Sequence, residues 1–415
     1  MTLQLTIDAA RLQGEIDTLA TYSDAPAPAV TRVLFTPTEL RARDYVRTLM
    51  REAGLTVRED AVGNIFGRWH AADDELPAVA TGSHIDAIPF SGKYDGVVGV
   101  LGAIEAVRAL RSAGFAPRRP IEIIMFTAEE PTRFKVGCLG SRALAGKLTP
   151  DMLLKLTDAD GQPFDTVRRT AGYDGDLSDV ELSVGHYDSF IELHIEQGPR
   201  LEAAGLPLGI VTAIAAPATV RVEFVGSGGH AGTVLMPERR DALPAAAELI
   251  LSVEKIAQST GSPDSVATVG LCQVHPGAVN SIPANVYLEI DIRDIDVNSR
   301  NRMVDTVLQV VRAVGDRRKL AYEATVLNAD NPCLCGREVI SAASEAIEAL
   351  GYPYQTMVSR AYHDTLFMAE LCPTSMIFVP SQHGYSHRPD EYTSTEDIAR
   401  GVEVLAHTLA RLASA

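Results

Sequence analysis

Ala78-Val79-Ala80-Thr81-Gly82-Ser83-His84-Ile85-Asp86 opens the stretch that decides the fold: a short apolar run that ends in an imidazole and a carboxylate. A second run, Ile121-Glu122-Ile123-Ile124-Met125-Phe126-Thr127, delivers Ala128-Glu129-Glu130-Pro131 in the same way. Between them Val97, Val100, Leu101, Ile104 and Val107 recur at the spacing of one helix face. Strand, helix, strand, with polar residues emerging at both strand ends, predicts an α/β sheet whose ligand crevice lies beyond the strand C-termini.

Further along, the pattern changes. Val220, Val222 and Phe224 alternate as a half-buried strand, and a helical stretch runs from about Asp241 to Ser259. Val266 to Val274 and Val286 to Arg293 read as strands, Arg302 to Arg312 as helix and Ala321 to Leu327 as strand. The order β-α-β-β-α-β is that of a ferredoxin-like unit. A chain of 415 residues exceeds one comfortable core. The expectation is therefore a larger α/β domain, residues 1–212 and 330–415, with a central mixed sheet flanked by helices, into which residues 213–329 insert a ferredoxin-like α+β domain. A helix from Glu338 to Leu350, a strand from Ser375 to Pro380 and a final helix from Glu396 to Leu412 complete the larger sheet.

A formal charge of −17 repels polyanions, which argues against nucleic acid and anionic membrane as partners. No segment approaches a membrane-spanning apolar run and the first residues lack a leader pattern, so the reading is a cytoplasmic protein. The five cysteines are scattered, and Cys333-Leu334-Cys335 has no second pair to make a zinc knuckle.

Ligand-type residues sit beside glycine or proline in four places: His84-Ile85-Asp86 with Tyr94-Asp95-Gly96, Glu129-Glu130-Pro131, His194-Ile195-Glu196-Gln197-Gly198, and Gly384-Tyr385-Ser386-His387. Three imidazoles and two carboxylates on separate loops suit two borderline-hard divalent ions sharing one carboxylate. Singly, none is specific, because an ordinary histidine is more often a satisfied or exposed ring than a ligand.

As a set, in order and spacing, these motifs resemble the peptidase M20 metallohydrolases, in particular their amidohydrolase and carbamoylase branch. The set includes Gly92-Lys93-Tyr94-Asp95-Gly96, Phe126-Thr127-Ala128-Glu129-Glu130 and Gly229-His230-Ala231-Gly232, and the likeness runs from about Thr31 to the last helix. It implies that His84, Asp95 and His194 hold one divalent ion and Asp95, Glu130 and His387 another, manganese first and zinc as the alternative. Asp86 would orient the His84 ring, Glu129 would be the general base acting on water activated between the ions, and His230 would stabilise the oxyanion. Asn280 and Arg293 would grip a substrate carboxylate, with Gln197 a further contact. The inserted domain would serve as lid and dimerisation surface, its residues completing the partner's active site in a homodimer.

The branch cleaves ureido groups beside a carboxylate, so the implied substrate is a small anionic ureide. Glu130-Pro131-Thr132-Arg133-Phe134, Ser359-Arg360-Ala361-Tyr362-His363-Asp364 and Gly384-Tyr385-Ser386-His387 resemble the members acting on ureidoglycolate, with Tyr362 and Tyr385 adding bulk and hydroxyls that would shrink the pocket. The implied reaction turns (S)-ureidoglycolate into glyoxylate, ammonia and carbon dioxide, recovering nitrogen from purines. Allantoate and N-carbamoyl-L-amino acids are the alternative substrates. A non-catalytic binding protein on the same fold is the rival of another class, and it has no use for both Glu129 and the full ligand set.

Overall fold

The computed structural model describes residues 3–415. The chain divides into two compact units: one runs to Thr212 and resumes over Cys335–Ser359 and His363–Ala415, the other comprises Ala213–Leu334 with Arg360–Tyr362. No helix among the described residues is long and apolar enough to cross a membrane.

The larger unit is built on a mixed sheet. Its centre is four parallel strands in the spatial order Thr374–Val379, Tyr187–Ile195, Ala78–His84, Ile121–Phe126. Antiparallel strands flank them: Ile65–Trp69 and then Thr56–Glu59 beyond Ile121–Phe126, and the strand beginning at Leu208 beside Thr374–Val379. The fold is thus the expected α/β type. Both faces of the sheet are covered. Val79, Ile121, Ile123 and Met125 point into one core with the helix Val97–Ser112, while Ala78, Ala80, Ile124 and Phe126 point into a second with Phe134, Leu139 and Phe164. Burial on both faces is why these strands read as continuous apolar runs instead of alternating ones.

Because the four central strands are parallel, their C-terminal ends share one edge of the sheet. His84 closes its strand opposite Phe126, and His194 lies opposite Phe378. One imidazole and the two loops after Phe126 and Val379 therefore arrive at the same place as the His194 ring, the crevice position expected for open α/β sheets.

The smaller unit is a four-stranded antiparallel sheet in the order Val266–His275, Asn285–Asp294, Ala216–Val225, Ala321–Ala329, with helices Ala242–Gln258 and Val297–Arg318 packed on one face. This is the ferredoxin-like order. Val220, Val222, Phe224, Val286, Leu288 and Ile290 fill its core with Leu249, Val307 and Val311. The second helix starts five residues earlier than its apolar spacing indicates, because the Asp296 carboxylate accepts the Asn298 N–H and caps it.

One buried ion pair supports the larger unit near the functional edge. Glu39 and Arg43, one helical turn apart and both almost fully buried, bond to each other. Arg43 also donates to the Gly63 carbonyl and reaches Thr127 Oγ1, which directly precedes Ala128-Glu129-Glu130. Glu39→Ala is expected to lower unfolding stability by about 3–5 kcal/mol, since it strands a buried guanidinium. Denaturant titration checks this; a loss below about 1 kcal/mol, the scale of a surface pair, would refute it.

Candidate active site

The site is assembled from turns. Asp95 lies in the turn that starts helix Val97–Ser112, with Gly96 at φ +66 as its N-cap. A Cβ at Gly96 would meet the His84 ring at 2.4 Å, so close approach of the turn to that imidazole requires glycine. Ala128, Gln197 and His387 also have positive φ at the ends of the loops they open. Each such conformation costs about 1–3 kcal/mol in a non-glycine residue, and such strain concentrates where geometry is functional.

Asp95 uses both carboxylate oxygens. Oδ1 lies 3.2 Å from His194 Nε2 and 3.9 Å from His84 Nε2; Oδ2 lies 3.1 Å from His387 Nε2, which is itself 3.2 Å from Glu130 Oε1. Two atoms each ~2.1 Å from a common ion and at a tetrahedral angle stand ~3.4 Å apart. The two triads, His84/Asp95/His194 and Asp95/Glu130/His387, thus have the spacing of two ion positions joined by one carboxylate.

Ring orientation fits the same reading. His84 Nδ1 is 3.1 Å from the Asp86 carbonyl and His194 Nδ1 is 2.9 Å from the Ile195 carbonyl. A carbonyl only accepts, so each Nδ1 carries a proton and Nε2 is the ring nitrogen left facing Asp95. The Asp86 carboxylate lies 3.5 Å from His84 Nδ1, and it also accepts the N–H groups of Glu129 at 3.2 Å and Glu130 at 3.0 Å. Asp86 therefore ties the His84 strand end to the paired-glutamate loop.

The electrostatics are those of a place built for cations. Burial alone would raise the Asp95 carboxyl, but hydrogen bonds with His194 and His387 hold it well below the ordinary range. Hydrogen bonds to Asp95 and Glu130 push the His387 imidazole up to about 11. Glu129 is pushed well above the usual carboxylate range by burial, with His84 opposing and Glu130, Asp364 and Asp95 adding. Its Oε2 lies 3.7 Å from His84 Nε2, and the Cys138 thiol approaches Oε1 at 3.7 Å. Buried carboxylates crowded in this way need protons or metal ions to balance them.

Gln197 is drawn to the same point, its amide donating to Asp95 Oδ2 at 2.9 Å. Tyr385, two residues before His387, packs its ring against His383 and under the Arg388 guanidinium. The other residues singled out from sequence lie in the smaller unit. There His230 is exposed on a short strand paired with Ser281–Ile282, and the Asn280 carbonyl accepts the Ala231 N–H. Arg293 is held by Asp291 at 2.8 and 3.1 Å and by the Arg360 carbonyl at 2.7 Å, and the Tyr362 hydroxyl donates to Asp330.

Several residues at the site escape a linear reading. His363 is buried with its ring 4.6 Å from that of His194, and its Nε2 has no hydrogen-bond partner. Burial and the neighbouring His194 keep it neutral, well below the usual imidazole value. Asp364, raised to about 8 by burial and Glu192, accepts from Ser141 at 2.5 Å. Glu192 is occupied by Ser83, at 2.7 Å, and Thr365. Glu391 is 5% exposed and pushed up to about 7 by burial and Asp95. His363 and Asp364 stand inside a quoted motif; the only signal for Glu391 is a polar residue a few positions after a ligand histidine.

This cluster offers the donor sets of two metal positions on an α/β sheet edge, and comparison with known proteins gives the family. The model of "Peptidase family M20/M25/M40" matches residues 80–411. A ureidoglycolate hydrolase of Arabidopsis thaliana is 56% identical over 98% of this chain and 87% of its own length. Crystal structures of AtUAH in complex with glyoxylate and with (S)-hydroxyglycine each align with a TM-score of 0.89 at 54% identity, covering 99% of this chain and 98% of theirs. An N-carbamoyl-L-amino acid amidohydrolase of Geobacillus stearothermophilus is 40% identical over 98% of this chain and 99% of its own. The chain belongs to peptidase family M20/M25/M40.

Metal uptake is expected to be proton-coupled. Asp95 and Glu130 push the His387 imidazole up to about 11, and a metal-ligating imidazole must be neutral, so an ion held by His387 near neutral pH would expel its proton. Apparent affinity should rise about tenfold per pH unit for each proton released. Calorimetry in buffers of different ionisation enthalpy reads this directly, and an affinity flat across the neutral range would contradict it.

Proposed function

We propose that this chain is a metal-dependent amidohydrolase that cleaves the ureido C–N bond of (S)-ureidoglycolate. Water adds, ammonia and carbon dioxide leave, and the remaining hydroxyglycine falls apart to glyoxylate and a second ammonia. One observation carries the chemistry: Asp95 faces two separate ligand triads while Glu129 stands beside them, nearly buried and unclaimed by either. The substrate reading is supported by the likeness, over 98% of this chain, to a ureidoglycolate hydrolase and by that to AtUAH, which binds glyoxylate and (S)-hydroxyglycine.

His84, Asp95 and His194 would hold one divalent ion and Asp95, Glu130 and His387 the second, with manganese the first choice and zinc the next for this histidine and carboxylate set. When bound, such a pair supplies positive charge that polarises the ureido carbonyl and makes water acidic enough to attack near neutral pH. Glu129, beside His84 and outside both triads, takes the proton of the attacking water at its carboxylate and passes it to the departing nitrogen. Arg293 and Asn280 are assigned to the substrate carboxylate, for which a planar guanidinium is suited, and Gln197 to a further polar contact. Tyr362 and Tyr385 are assigned to narrowing the pocket against larger ureides.

His230 is assigned to the oxyanion of the tetrahedral species, reached across a homodimer. Leu235, Met236 and Val279 support an interface there: they are 65%, 73% and 103% exposed in the segments next to His230 and Asn280. Large apolar groups grouped this way fit a surface that a second copy covers. Cys138, Cys272 and Cys372, none of them in a disulfide, support a reducing, cytoplasmic setting.

Ammonia release from ureidoglycolate, allantoate and several N-carbamoyl amino acids by manganese- or zinc-reconstituted protein tests the reading. Ureidoglycolate is expected to lead in kcat/KM, and a preference for N-carbamoyl amino acids would overturn the substrate. Glu129→Gln is expected to lower kcat by about 10²- to 10⁴-fold with metal content retained; turnover close to wild type would remove Glu129 from the role of base. Tyr362→Gly and Tyr385→Phe are expected to narrow the gap between ureidoglycolate and allantoate, and an unaltered ratio would free both tyrosines from the selectivity role.

A further inference from the structure

Glu391 belongs to neither ligand triad, yet it touches both arms of the cluster. Its Oε1 accepts the backbone N–H groups of Tyr94 at 2.9 Å and of Asp95 at 3.2 Å. Its Oε2 lies 2.9 Å from Ser386 Oγ, and that hydroxyl is 3.1 Å from Asp95 Oδ2, the oxygen that faces His387. Space for the contact is kept at Gly92, where a Cβ would stand 2.4 Å from the Cβ of Glu391.

The two ion positions differ in how they are supported. His84 and His194 lie on central strands of the sheet, His84 opposite Phe126 and His194 opposite Phe378 in the flanking strands. His387 is half exposed, has φ +59 and belongs to no regular element. Asp95 is in a turn almost three hundred residues away in sequence. Nothing in the sheet fixes the distance between these two, whereas the path Asp95 N–H, Glu391, Ser386, Asp95 Oδ2 closes a ring around it.

We infer that Glu391 is a positioning residue whose carboxylate sets the separation of Asp95 and His387, and through it the occupancy of the Asp95/Glu130/His387 position in particular. The inference rests on the two-ion reading of the cluster. Glutamine preserves the geometry: its amide oxygen accepts the two backbone N–H groups, and its amide nitrogen donates to Ser386 Oγ, leaving the Ser386 proton for Asp95. Alanine removes the ring altogether.

The test is manganese stoichiometry and affinity, by elemental analysis after dialysis and by calorimetry, on the full chain as wild type, Glu391→Gln, Glu391→Ala and Ser386→Ala. Metal-free melting curves run alongside to establish folding. Wild type should hold two ions per chain. Glu391→Ala should keep one and bind the second about 10- to 100-fold more weakly, as loss of a group that orients a ligand does. Glu391→Gln should hold both. If Glu391→Ala does not fold, Ser386→Ala carries the test, with a weakened second ion and an intact first. A second ion bound as tightly as in wild type by the folded alanine variant, or lost as completely in glutamine as in alanine, overturns the positioning role alone. A wild-type chain that binds fewer than two ions overturns the two-ion reading, and this inference with it.

Discussion

Everything at the functional edge answers to one constraint, the carboxylate of Asp95 placed 6% exposed among three imidazoles and two further carboxylates. A buried acid in such company holds its charge only if its surroundings supply positive charge or donors. The chain supplies both: histidines on each oxygen, a Gln197 amide, a Ser386 hydroxyl, and the N-terminal end of helix Val97–Ser112, whose dipole favours an anion. The parallel order of the four central strands is the architectural answer to the same demand, since only parallel strands bring several loops to one edge.

Around that centre the glutamate loop is held more firmly than its sequence suggests. Asp86 accepts two of its N–H groups and the buried Arg43 reaches the residue ahead of it. Arg133 bonds to Asp158 and to the Leu34 and Phe35 carbonyls, while Phe134 fills a core. These two residues brace the loop from outside; they do not line the cluster.

Parts of this were legible in the sequence for definite reasons. The strands ending at His84 and Phe126 are covered on both faces and so are uninterruptedly apolar, and the strands of the smaller unit alternate because helices cover one face only. Thr56–Glu59 was not legible: it is a short edge strand, mostly exposed, with no burial pattern to read. Helix Pro37–Glu52 is rich in charge, and its inward face includes the paired Glu39 and Arg43, which apolar periodicity cannot register. Among the site residues, His84, Asp95, Glu129, Glu130, His194 and His387 come from motifs and meet in space. His363, Asp364 and Glu391 take their meaning from partners far along the chain, such as Ser141 for Asp364 and Tyr94 for Glu391, and no local pattern encodes that.

The strand order has a consequence for how the chain comes to exist. Thr374–Val379 sits between Tyr187–Ile195 and the strand that begins at Leu208, two segments made well over a hundred residues before it. Until that late strand is synthesised, the edge that carries His194 has no partner on one side, and the gap cannot close without it. The nascent chain must therefore carry an open, apolar sheet edge through synthesis of the entire ferredoxin-like unit, the kind of edge that pairs with other chains. A premature stop anywhere in that interval leaves more than an inactive protein: it leaves a strand acceptor with nothing of its own to fill it.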